Sequence, residues 1–136
     1  MASFGIESNK QLDSCNYKLQ KVARIAIKLM DFRVLEGHRD EARQNALLNE
    51  DPPKTTLPWP KSKHNEKPSM AFDLAPYPLD WSNHPKAIAR FYLLAGVILA
   101  VAYMIGVKLR WGGDWDGDWD LFDQKFDDLG HFELDY

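Results

Sequence analysis

Three side chains far apart in the sequence can share one metal ion. His64 and Asp73 flank a proline-containing loop in the stretch SKHNEKPSMAFDLAP, residues 62–76, and His131 follows Asp128-Leu129-Gly130 near the C-terminus. Two imidazoles and a carboxylate are the ligand inventory of a hydrolytic zinc centre, where three protein ligands leave a position open for water. Such water needs a base within hydrogen-bond reach. Asp128 fits, because a D-x-x-H spacing across a turn can bring its carboxylate beside the ion without making it a ligand. Glu133, two residues after His131 on the same face of a short strand, is the alternative base or a partner that orients the imidazole.

Two further groups complete the set. Arg39 offers a guanidinium for a substrate carboxylate or for the oxyanion that forms when water attacks an amide, and Ser62 offers a hydrogen bond to the same group. Each also has a plain structural reading, Arg39 as an exposed cation at a helix start and Ser62 as a loop cap. His38 has no second ligand near it and His84 stands at a helix start, so both fall outside the expected site. A serine nucleophile is disfavoured, since no G-x-S-x-G elbow presents one.

A second acidic cluster follows a different pattern. Asp114, Asp116, Asp118 and Asp120 alternate with Trp115, Gly117 and Trp119, a spacing close to that of Ca²⁺ loops. Gly117 is misplaced for an EF-hand and Lys125 stands where the closing Glu belongs, so a solvated acidic loop is the favoured reading over Ca²⁺.

The elements that must position these groups are short. Apolar residues at three- and four-residue steps predict an amphipathic helix from about 16 to 30. FRVLEG reads as a strand, and HRDEARQNALLN as a helix with Asp40 and Glu41 at its start. Four prolines between Asn49 and Lys61 mark a stiff loop. MAFDLA alternates as a strand, with Met70, Phe72 and Leu74 on one side and Asp73 between small residues on the other. A helix capped by Ser82 or Asn83, with Pro85 in its first turn, runs to about Ile105, and VKLRW and HFEL read as further strands.

Residues 91–107 carry no charge, yet they fall short of the roughly 20 apolar residues a membrane span needs. A core helix packed on the sheet is expected instead, and a small membrane-inserted lysis protein is the rival reading. At 136 residues the chain fits one domain, and a single cysteine, Cys15, excludes an internal disulfide framework. The start, MASFGIESNK, has no basic n-region followed by an apolar h-region, so a Sec-type signal peptide is not expected there. Residues 1–67 hold 12 Lys and Arg against 9 acids, and residues 68–136 hold 5 against 11. An acidic second half disfavours nucleic acid as a partner and suits a cation.

Taken together, EGHRDEARQNAL, SKHNEKPSMAFDLAPYPLDW, LRWGGDWDGDW and GHFEL resemble the D-alanyl-D-alanine carboxypeptidase and L-alanyl-D-glutamate peptidase family of zinc enzymes, in particular its single-domain phage endolysins. The carrying motifs are S-x-H at Ser62 and His64, A-x-D at Ala71 and Asp73, and D-x-x-H at Asp128 and His131. The interval from His64 to Asp73 is longer than many members show, which points to a longer loop around Pro68. The resemblance implies zinc on His64, Asp73 and His131, Asp128 as base and Arg39 as the arginine that contacts substrate or transition state. It also implies an α+β fold, with helices on one face of a small, largely antiparallel sheet and the metal on the other. The implied substrate is a stem or cross-bridge peptide of peptidoglycan. The implied enzyme is a monomer without a separate wall-binding domain or stable membrane insertion, made in the host cytoplasm and released through a holin lesion. A catalytically inactive zinc-binding interaction domain is the remaining alternative, against which Arg39 and Asp128 both argue.

Overall fold

A computed structural model describes residues 2–136. Four strands form one antiparallel sheet in the order β1-β2-β4-β3, with β1 at Phe32–Glu36, β2 at Ala71–Pro76, β3 at Leu109–Gly112 and β4 at Asp128–Leu134. Helices α2 (Tyr17–Ala26) and α4 (Pro85–Met104) pack against each other, and α4 lies on β2, β3 and β4. Helix α1 (Ile6–Asp13) packs on β1, and α3 (Glu41–Leu48) follows the first strand. This is the expected α+β architecture.

Alternation along the strands separates two chemistries. Phe72 of β2 pairs with Phe132 of β4, which in turn pairs with Trp111 of β3, and these three buried rings face the helices. Phe72 meets Phe132 edge-on at 6.2 Å, and Trp111 stacks on Phe132 at 6.4 Å. One residue along, Asp73 pairs with His131, and Glu36 of β1 pairs with Asp73. A polar row therefore crosses three strands on the face opposite the aromatic core. A one-residue slip would exchange the two rows, so burial of the aromatic face enforces the register that assembles the polar one.

Helix α4 differs in part from the expected core helix. His84, not Ser82 or Asn83, caps it through Nδ1, which accepts the Lys86 N–H at 3.1 Å. Ala87, Leu94, Ala95, Ile98, Val101 and Ala102 are buried against α2 and the sheet, whereas Leu93, Tyr103 and Met104 on its other face are exposed. It is long and apolar enough to cross a membrane, and one face of it forms the domain core. Helix α2 ends at Ala26 rather than Met30, after which turn bonds such as Leu29 N–H to the Ala26 carbonyl lead into β1.

Helix α1 is absent from the sequence reading, and it completes the sheet's exposed edge. Its Ser8 Oγ accepts the Val34 N–H at 3.1 Å and its Gln11 Oε1 accepts the Gly37 N–H at 3.1 Å. Ser14, just past the helix, accepts the His38 N–H on its Oγ at 2.8 Å. These side chains satisfy amides that an edge strand would otherwise leave unpaired. The approach is close: a Cβ on Gly37 would come within 2.4 Å of both the Gln11 carbonyl oxygen and Ser14 Oγ. Cys15, buried beside this contact, has its thiol pushed up to about 12 by burial, which makes it the inert structural thiol its isolation suggests.

Candidate active site

His64, Asp73 and His131 converge, each offering an atom within 4.8 Å of the others. Two come from adjacent strands and are direct cross-strand partners. The third, His64, is on a single 3-10 turn, Lys63–Asn65, just before β2. Ser62 caps that turn: its Oγ accepts the His64 N–H at 3.2 Å, and Asn65 Oδ1 accepts the Ser62 N–H at 3.1 Å. The capping reading of Ser62 thus describes its observed bonds, and through them Ser62 fixes the backbone of His64.

The loop around Pro68 is tied down at both ends of its path. The Ser69 N–H donates to the Ser14 carbonyl at 2.9 Å, the Asn16 N–H to the Ser69 carbonyl at 2.8 Å, and the Met70 N–H to the Lys63 carbonyl at 3.1 Å. The interval between His64 and Asp73 is therefore packed against the α1–α2 junction, leaving β2 regular.

The two imidazoles are oriented by different atoms. His64 Nδ1 lies 2.7 Å from the Gly37 carbonyl oxygen, so Nε2 points at Asp73 Oδ1, 3.3 Å away. His131 is reversed: Nε2 lies 2.8 Å from Glu133 Oε1, and Nδ1 lies 3.1 Å from Asp73 Oδ1. Histidines that bind metals are typically held in this way, with the second nitrogen donating to a carbonyl or carboxylate. His64 Nε2 is buried and has no hydrogen-bond partner among the described residues. An unpartnered buried nitrogen aimed at a carboxylate and a second imidazole is the donor arrangement a zinc ion fills, so the residues fit the metal.

The electrostatics agree. Burial opposes ionisation of Asp73, but the pull of His64, the hydrogen bond from His131 and the pull of His131 hold its carboxyl well below the usual carboxylate range. Burial likewise opposes charge on His131, yet its bonds to Asp73 and Glu133 outweigh this and raise it to about 9. Asp128 moves the other way: desolvation first, and then the negative charge of Asp73, raise its pKa. His131, His64 and Arg39 also act on it, which places Asp128 at the rim of the same cluster, still reached by solvent. The expected turn between Asp128 and His131 is not there. Asp128 opens β4 itself, paired with Gly112 across a bulge, and a Cβ on Gly130 would meet the Leu74 carbonyl oxygen at 2.4 Å.

Arg39 is buried, not an exposed helix-start cation. Its Nε and Nη2 donate to Glu36 Oε1 at 2.9 and 2.5 Å, Nη1 donates to Gln44 Oε1 at 3.0 Å, and Nη2 stands 3.7 Å from Asp73 Oδ2. Three of the five guanidinium N–H groups are thus engaged among the described residues, leaving two for a ligand. Glu36 and Gln44 went unnoticed in the sequence. Gln44 is fully buried and also bonds Asn65 and the Leu57 carbonyl, so one amide links α3, the proline-rich loop and the His64 turn. Asp40 caps α3 by accepting the Arg43 N–H at 2.8 Å, as its position suggests. His38 and His84 remain outside the cluster, bonded to the Glu66 carbonyl and the Lys86 N–H.

The acidic loop forms a second convergence, of Asp114, Asp116 and Asp118. Asp120 is not in it and instead accepts the Phe122 N–H at 2.9 Å, while Asp123 contacts Asp118 and has its pKa raised by that contact. Asp114 is buried and its Oδ1 has no partner among the described residues. The tryptophans divide: Trp111 is core, Trp115 lies against His131 with ring centres 5.5 Å apart, and Trp59 and Trp119 are exposed.

Comparison with known proteins adds a lineage to this geometry. A family model described as phage L-alanyl-D-glutamate peptidase matches residues 1–135. The chain belongs to that family. It is 33% identical over 139 aligned positions to the L-alanyl-D-glutamate peptidase of Escherichia phage T5, covering 96% of each chain. The crystal structure of the Serratia marcescens L-Ala D-Glu endopeptidase ChiX superposes with a TM-score of 0.72 at 25% identity, covering 96% of this chain and 88% of that one. In this phage peptidase family member, then, the His64, Asp73 and His131 cluster sits on a fold shared with a solved peptidase of the same named specificity.

Proposed function

We propose that the protein is a zinc-dependent endolysin that hydrolyses the L-alanyl-D-glutamate amide bond in peptidoglycan peptides. The observation that carries this is the buried His64 Nε2, unpartnered among the described residues and facing Asp73 and His131, in a chain of the phage L-alanyl-D-glutamate peptidase family. His64 Nε2, His131 Nδ1 and an Asp73 oxygen would hold the ion. When bound, zinc supplies Lewis-acid polarisation and lowers the pKa of a coordinated water toward about 7.

The chain's own groups do the remainder. Asp128, with its pKa raised by desolvation and by Asp73, takes the proton from the attacking water and delivers it to the leaving amine. The two free N–H groups of Arg39 are directed to the substrate carboxylate or the oxyanion, and Glu36 and Gln44 keep the guanidinium from collapsing onto Asp73. Glu133 fixes the tautomer of His131. Ser62 acts through the His64 backbone. Monomeric action, and release to the wall through a lesion made by a separate holin, belong to the same proposal.

The test is digestion of defined peptidoglycan followed by mass spectrometry of the fragments. New L-Ala carboxyl and D-Glu amino termini, lost with a chelator and regained with Zn²⁺, are expected; cleavage only at D-Ala-D-Ala or at cross-bridges would overturn the specificity.

One observation favours a second ligand, Ca²⁺, at the acidic loop. Asp114 Oδ1 is buried without a partner among the described residues, and Asp116 and Asp118 converge with it. Ca²⁺ takes carboxylate oxygens of this kind. Calcium-dependent thermal stabilisation that disappears in Asp114→Asn is the expected result, and identical unfolding with and without Ca²⁺ would return the loop to a solvated acidic turn.

A further inference from the structure

Resting on the zinc reading above, we infer that Arg110 is a positioning residue for the ligand His131, acting through Glu133 and Trp115. Arg110 lies on β3 directly across from Glu133 of β4. Its Nη2 donates to Glu133 Oε2 at 2.9 Å, and Glu133 Oε1 in turn lies 2.8 Å from His131 Nε2. The same guanidinium sits over the Trp115 ring, 5.4 Å from its centre, and that ring packs against the His131 imidazole at 5.5 Å. Arg110 thus touches two different groups, each of which touches the ligand histidine.

The burial of the partners separates this from an ordinary surface ion pair. Arg110 is 44% exposed, but Glu133 is only 7% exposed. An exposed pair contributes little, whereas a buried carboxylate deprived of a charged donor turns toward solvent or another cation. Glu133 Oε2 has no other hydrogen bond among the described residues. The nearest alternative, Lys63 Nζ, is 3.6 Å away and already donates to the Leu134 carbonyl. Without Arg110, Glu133 swings toward Lys63, His131 Nε2 loses its fixed acceptor, and the ring can turn Nδ1 away from Asp73. The strand register makes this arrangement specific: Arg110, Glu133 and Ala71 lie in one cross-strand row, two residues along β4 from the row of His131 and Asp73.

The experiment is zinc affinity by chelator competition on the full chain, for wild type, Arg110→Ala, Arg110→Lys, Glu133→Gln and the Arg110→Ala/Glu133→Gln double variant. Arg110→Ala is expected to weaken zinc binding about tenfold, the lower end of what partners of metal-bound histidines contribute. Arg110→Lys recovers part of this, because an ammonium can still hold Glu133 Oε2. In Glu133→Gln the side-chain oxygen still accepts from His131 but the amide nitrogen cannot accept from Arg110. Adding Arg110→Ala to it is therefore expected to change affinity by less than about twofold. Unfolding of the metal-free Arg110→Ala protein at the wild-type temperature separates positioning from folding. Zinc affinity of Arg110→Ala equal to wild type, or an equal tenfold loss in the Glu133→Gln background, would overturn the inference while leaving the zinc proposal standing. A wild-type chain that binds no zinc overturns both.

Discussion

The polar row on the sheet and the acidic loop both bring three ligand-type side chains together, and each leaves one buried atom without a partner among the described residues, His64 Nε2 in the first and Asp114 Oδ1 in the second. They are built in opposite ways. The sheet cluster draws its residues from positions 64, 73 and 131, and cross-strand register, a capped turn and the Gly37 carbonyl hold them. The loop cluster spans only positions 114–118, and its internal bonds are short-range turns such as Asp118 N–H to Asp116 Oδ1 at 3.3 Å. The first is mixed in charge, with Arg39 3.7 Å from Asp73 and imidazoles on either side. The second is anionic throughout. A site held from outside keeps its geometry without the ion, whereas a run of mutually repelling carboxylates depends on a cation or on protons for its shape.

Asp128→Asn breaks the sheet site's chemistry without touching its ligands and carries the largest expected effect. Activity on wall peptides is expected to fall by about 10²–10⁴-fold, the range for a lost general base, with one zinc still bound. Full activity with zinc retained would remove Asp128 from the mechanism.

Gly37→Ala tests whether the external scaffold matters. A Cβ there collides with the Gln11 carbonyl and Ser14 Oγ, so the strand end must move, and with it the carbonyl that orients His64. The expected cost is about 1–3 kcal/mol in denaturant unfolding together with weaker zinc binding. A variant as stable as wild type would show that α1 does not support the site.

The next effect concerns pH. His131 is raised from its ordinary value near 6.5 to about 9 in the metal-free fold, held there by Asp73 and Glu133 against burial. A raised histidine contributes stability that is fully present below about 6.5 and lost as pH climbs through about 9. Metal-free protein is therefore expected to melt at progressively lower temperature across that window. Zinc-loaded protein should lack this slope, since zinc replaces the proton on Nδ1. Parallel pH profiles for the two forms would contradict the assignment.

Asp114→Asn carries the smallest effect and bears on the loop alone. Without calcium it should leave stability within about 1 kcal/mol of wild type, because it removes one charge from a repelling group. Wall hydrolysis at saturating zinc and without calcium should be unchanged.

The same contrast explains which parts were legible from the chain. His64, Asp73, His131 and the strands that carry Asp73 and His131 could be read because ligand chemistry depends on residue type and strand identity on alternation, both local properties. Helix α1 could not: only Ser8 and Leu12 of its residues are buried, so it shows no apolar stripe, and its contribution is hydrogen bonds to amides more than 20 positions away. Glu36 and Gln44 look like ordinary polar residues of a strand and a helix until the fold places Arg39 between them. The acidic loop's spacing was visible, but spacing alone includes Asp120, which stands outside the convergence of Asp114, Asp116 and Asp118.

The most direct test of the central claim is ¹⁵N NMR of the imidazoles as zinc is added to the full chain. The geometry requires His64 to bind through Nε2, with Nδ1–H held by the Gly37 carbonyl, and His131 to bind through Nδ1, with Nε2–H held by Glu133. Saturation at one zinc per chain, with His64 and His131 in these opposite tautomers and His38 and His84 unchanged, is the predicted result. Binding of both through the same nitrogen, or shifts confined to His38 or His84, would contradict it.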